Sequence, residues 1–111
     1  MPLLSIETNQ ALDNSDTLKL LSGEVAQMLG KPESYVLLKY EHNGNMLFAG
    51  DDQPLAHLKL KSLGMPEERT PDFSRQLCRL METHFAIPAN RVYIEFSSPQ
   101  RHMWGWDSTT F

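Results

Sequence analysis

Pro32-Glu33-Ser34-Tyr35-Val36-Leu37-Leu38-Lys39-Tyr40 and Pro88-Ala89-Asn90-Arg91-Val92-Tyr93-Ile94-Glu95-Phe96 lie 56 residues apart, and their likeness decides the fold. The offset lays Pro32 on Pro88, Val36 on Val92 and Tyr40 on Phe96. The β-branched, aromatic and aliphatic runs Tyr35–Tyr40 and Arg91–Phe96 read as strands, the first closed by the turn signal His42-Asn43-Gly44.

The same order recurs upstream of each run. Pro2 to Glu7 is short and partly alternating, which suits a strand, and the polar stretch Thr8 to Asp16 suits a loop. A helix follows: Leu18, Leu21, Val25 and Met28/Leu29 recur every three or four residues, Ser15 or Asp16 can cap it, and Gly30 then Pro32 end it. Downstream, Ala56 to Ser62 alternates as a strand, and Gly64 to Thr70 is a polar loop. Thr70 then suits an N-cap, Pro71 the first helical position and Asp72 the positive helix end, with Phe73, Leu77, Leu80/Met81 and His84/Phe85 as the buried face. Two βαβ repeats, spanning about 2–50 and 56–111, are implied within one domain of residues 1–111. The fold class is α/β: a four-stranded mixed sheet with both helices on one face, plus short strands at Asn45–Gly50 and near Trp104–Trp106. Apolar residues on the bare sheet face would suit subunits packed sheet against sheet in a closed ring.

Composition narrows the partners. Ten Lys and Arg against fourteen Asp and Glu give a net charge of −4, with no basic stripe, so nucleic acid is not expected. No apolar run approaches the roughly 20 residues that cross a bilayer, and the first twenty residues lack a signal-peptide pattern, so a cytoplasmic protein with no membrane partner is expected. Cys78 is the only cysteine, which rules out an internal disulfide and suits a buried small hydrophobe. His42, His57, His84 and His102 are scattered, with no pair at ligand spacing beside a carboxylate, so a metal site is not expected.

Pro2 stands where removal of Met1 would leave a secondary amine at the chain start. From position alone it reads either as the first residue of an edge strand, which proline tolerates, or as a base whose pKa is lowered in an apolar pocket beside a Lys. Met-Pro-Leu-Leu at the start, Gly30-Lys31-Pro32, Lys61-Ser62-Leu63-Gly64, Arg91-Val92-Tyr93-Ile94, Gly105-Trp106 and the terminal Ser108-Thr109-Thr110-Phe111 together weigh for the second. In order and spacing, across essentially the whole chain, they resemble the macrophage migration inhibitory factor and D-dopachrome tautomerase family, in a microbial-type form.

The resemblance implies a homotrimer with active sites at subunit interfaces, the proton-transfer base on Pro2 and the carboxylate-binding cation on Lys31. Ser62 and Leu63 match the segment beside the base, Leu63 in place of the more usual isoleucine. Tyr93 matches a pocket tyrosine supplied by a neighbouring subunit. Trp106 and Phe111 match the aromatic wall near the C-terminus, where contact with substrate and closure of the trimer are equal alternatives. Glu95 stands where asparagine is frequent and Trp104 where a smaller aliphatic residue is frequent. An anionic Glu95 would oppose a substrate carboxylate unless it pairs with Lys31 or turns away, and Trp104 would narrow the entrance or stack on an aromatic ring. The CxxC of some animal members corresponds to Leu55-Ala56-His57-Leu58, which excludes thiol–disulfide chemistry. The activity implied is enol–keto tautomerisation of a small aromatic 2-keto acid such as phenylpyruvate. The alternative is a cytokine-like trimer that binds a protein receptor and keeps a vestigial pocket. Relatives of that kind leave cells without a signal peptide, so secretion is the alternative location.

Overall fold

The computed structural model describes residues 1–111. Four six-residue strands form one sheet: β1 (Leu3–Thr8), β2 (Leu37–His42), β3 (Ala56–Lys61) and β4 (Val92–Ser97). Two helices, α1 (Asp16–Leu29) and α2 (Thr70–Phe85), are the crossovers, and a C-terminal hairpin pairs β5 (Gly105–Trp106) with β6 (Thr109–Thr110). The sheet order is β2-β1-β3-β4. β1 runs parallel to β2 and β3 to β4, while β1 and β3 meet antiparallel, with Leu3 opposite Lys61 and Thr8 opposite Ala56. Each βαβ unit thus contributes two parallel strands, and the units join along their first strands.

Alternation assigns the two sheet faces, because neighbouring residues of a strand point to opposite sides. Leu4, Ile6, Leu58 and Leu60 are buried under the helices, with Leu38, Tyr40, Val92, Ile94 and Phe96 at the flanks. The helices answer with Leu21, Val25 and Met28 from α1 and Phe73, Leu77, Met81 and Phe85 from α2, closing one core.

Several details depart from expectation. The open face is charged, not apolar: Lys39, Glu41, Glu7, His57, Lys59, Lys61 and Glu95 alternate with the buried residues, leaving Leu3, Leu37 and Tyr93 as its only large apolar side chains. Asn45–Gly50 is not a strand but contributes one bridge, Phe48 to Asp51, across a tight turn with Ala49 and Gly50 at positive φ. Helix capping also differs. Ser15 makes no side-chain cap bond, and the Asn14 side chain instead accepts the Asp16 N–H at 2.9 Å. Thr70 lies within α2, and its hydroxyl donates to the Glu67 carbonyl. Cys78 is half-buried, and burial pushes its thiol pKa up. No helix is long and apolar enough to cross a membrane.

Candidate active site

The chain start enters the fold between two strands rather than at an edge, since β1 lies inside the sheet. The Pro2 carbonyl accepts the Leu37 N–H at 2.9 Å and its ring is fully buried. Having no N–H of its own, Pro2 leaves the sheet no orphan donor here. Continuing the β1–β3 register one step past Leu3 and Lys61 sets Pro2 opposite Ser62.

Met1 and Pro2 open into a cavity of about 380 Å³, lined also by Tyr35, Leu37, Trp104 and Trp106. Its aromatic wall is built from a two-residue hairpin. Asp107 and Ser108 both take positive φ, the turn conformation that matches the twist of the flanking strands, and Phe111 N–H returns to the Trp104 carbonyl. Trp106 meets Tyr35 edge-on at 5.9 Å and stacks on Phe111 at 6.2 Å. Trp104 carries Lys61 Nζ 5.0 Å from its ring centre, a cation held against an aromatic face.

Lys31 is placed by the end of α1. Gly30 takes φ 64° and ψ 34°, Lys31 N–H bonds to the Ala26 carbonyl, and the helix stops in a left-handed cap that sends the chain back toward the sheet. Lys31 Nζ donates to the Leu63 carbonyl at 3.4 Å. Leu63 and Ser62 are buried, and Ser62 Oγ is the one buried side-chain polar atom with no hydrogen-bond partner. A hydroxyl in that state costs about 1–3 kcal/mol.

The chain-start amine, carried here by Met1, is held below its ordinary pKa. Burial contributes most, then the charge of Lys31, then that of Arg101. Removal of Met1 moves the chain start one residue deeper, to the fully buried Pro2.

The fold therefore gathers Pro2, Lys31, Ser62, Leu63, Trp104, Trp106 and Phe111 at one end of the sheet. Two expected residues lie elsewhere. Tyr93 sits two strands from β1, in register with His57 and Glu7, about 16 Å from Leu3 by strand spacing and rise. Tyr93 is 69 % exposed. Glu95 neighbours it on the open face and is paired with His57, not with Lys31. Tyr35 and Arg101 were not singled out by the sequence. Tyr35 precedes a strand and Arg101 lies in a C-terminal turn, so only the path of the folded chain brings them to the amine.

Comparison with known proteins agrees along the full length. The family model described as macrophage migration inhibitory factor (MIF) matches residues 1–111. A macrophage migration inhibitory factor homologue of Brugia malayi is 36% identical over 114 residues, spanning 100% of this chain and 99% of the relative. Among solved structures, the macrophage migration inhibitory factor of Trichinella spiralis superposes with a TM-score of 0.91 at 33% identity, covering 98% of this chain and 99% of that one. A homologue from Prochlorococcus marinus gives 0.89 at 34% identity, with 98% of each chain covered.

Proposed function

We propose, from the premise that the chain belongs to the macrophage migration inhibitory factor family and has the tautomerase-superfamily fold, that it is a cofactor-independent enol–keto tautomerase. Its substrate is an aromatic 2-keto acid of the phenylpyruvate type, and its base is Pro2 after removal of Met1. The observation that carries the reading is the chain start: a partly buried Met1 amine held below its ordinary pKa by burial, Lys31 and Arg101, in front of a buried Pro2 at a pocket walled by tryptophans.

Each part of the pocket has a task. Neutral Pro2 nitrogen takes the proton from the enol hydroxyl and returns it to the neighbouring carbon, so the amine is unchanged after each turnover. Lys31 attracts the carboxylate, and its bond to the Leu63 carbonyl points the ammonium toward the segment facing Pro2. Ser62, set opposite Pro2 by the sheet register and buried, is proposed to hold the segment beside the base in place. Trp104 and Trp106 exclude water and pack on the aryl ring. Three copies in a ring complete each site, with Tyr93 of a neighbouring subunit closing the pocket, because Tyr93 is too far from Pro2 of its own chain to serve it. The Glu95–His57 pair keeps that carboxylate engaged on the open face, which lessens its repulsion of an anionic substrate.

Pro2→Gly tests the base. Positioned proton transfer contributes roughly 10²–10⁴ in rate, so the variant is expected to lose turnover by that order while its circular dichroism and oligomer size stay unchanged. Full retention of phenylpyruvate turnover in the folded variant would overturn the assignment.

A further inference from the structure

Tyr93 is exposed, yet its ring is not free. Phe48 meets it edge-on with ring centres 5.0 Å apart, and the Arg91 guanidinium lies 5.1 Å from the centre of the Phe48 ring. Arg91 is itself locked. Its side chain is only 13 % exposed, it donates to the carbonyls of Pro54, Phe48, Asp51 and Gln53, and it pairs with the Asp51 carboxylate at 2.7 Å. Those five acceptors all belong to the 48–54 loop, so one guanidinium fixes the loop that carries Phe48 against the strand that carries Tyr93. Arg91 ends the short 3₁₀ turn Ala89–Arg91 that leads into β4, two residues before Tyr93.

From this geometry we infer that Phe48, held by Arg91, is a positioning residue that sets the ring plane and reach of Tyr93 and thereby the affinity of the site for aromatic keto acids. The inference rests on the placement of Tyr93 in a neighbouring subunit's pocket proposed above. An edge-to-face pair fixes the relative tilt of two rings, whereas an unsupported tyrosine on an exposed edge strand samples several χ1 rotamers. A Tyr93 ring stacked in advance loses less freedom when substrate arrives, and the effect falls on binding rather than on proton transfer.

Steady-state kinetics with phenylpyruvate, on chains shown to begin at Pro2 and to keep their oligomer size, test it. Phe48→Leu should raise KM about three- to tenfold, with kcat and the rising limb of the pH profile unchanged; Phe48→Tyr, which keeps the ring contact, should restore the parent KM. In a Tyr93→Ala background, Phe48→Leu should add nothing. If Tyr93→Ala impairs turnover but Phe48→Leu leaves KM at the parent value, or if the two effects multiply independently, the inference fails and the tautomerase reading stands. If Tyr93→Ala has no effect, the placement of Tyr93 fails and the inference falls with it.

Discussion

On the Met1 amine burial acts first, then Lys31, then Arg101, all favouring the neutral form, and the same groups are proposed to act on the Pro2 amine once Met1 is removed. The neutral fraction grows as pH rises through the lowered value, so the rising limb of kcat/KM should fall below the ordinary α-amino range of about 7.7–8.0. Lys31→Met removes one of the two cations and the proposed carboxylate partner together: the limb should move up toward the ordinary range and KM should rise. A pH series of initial rates checks both, and a limb that stays in place would detach Lys31 from the amine. The same shift has a stability side. The unfolded chain holds this proton more readily, so the amine disfavours folding below its lowered pKa, and that penalty disappears as pH rises through the ordinary value. That Lys31 lies near the chain start is legible in the sequence through the motif positions that pair it with Pro2. Arg101 is not, since its field depends on the segment after β4 folding back to the chain start.

Among the elements, the two helix ends show how sequence and geometry part. Both helices stop in left-handed caps 56 residues apart, Gly30 at φ 64° and Ala86 at φ 54°, and in each the next N–H bonds back to the helix, Lys31 to Ala26 and Ile87 to Met81. Gly30 announces its cap; Ala86 does not, because alanine carries no preference for positive φ. Ala86→Gly removes the clash of Cβ with the backbone and should stabilise the fold by about 0.5–1 kcal/mol, read as a higher urea midpoint at unchanged slope. A lower midpoint would show that the freedom glycine gains in the unfolded chain outweighs the relieved strain. The four strands lie within one or two residues of where alternation at Pro2–Glu7 and Ala56–Ser62 and β-forming composition at Tyr35–Tyr40 and Arg91–Phe96 predict them. The open face was misjudged because apolar residues spent on the helix side leave polar ones opposite. The Asn45–Gly50 turn was misread because its partner is a side chain, Arg91, rather than another strand.

At the scale of the whole molecule, the doubled βαβ pattern predicts the two parallel strand pairs and their helical crossovers but not the order in which the pairs join, and the completeness of the site depends on contacts between chains that no single sequence displays. Tyr93 at one end of the sheet and Pro2 at the other belong to one site only if copies pack edge to edge. The exposed apolar residues suit that arrangement: Leu37 on edge strand β2, Tyr93 on edge strand β4, and Tyr35, Leu47, Met103 and Trp106 in the connecting segments. Light scattering behind size-exclusion chromatography should give three times the chain mass of 12.7 kDa, and a monomer at micromolar concentration would leave the pocket without Tyr93. The central claim concerns a single nitrogen, and one measurement reaches it directly. Intact-mass spectrometry and a phenylpyruvate turnover assay on the same samples should find activity in chains that begin at Pro2 and none in chains that retain Met1. Equal turnover by the Met1-bearing chain would contradict the account.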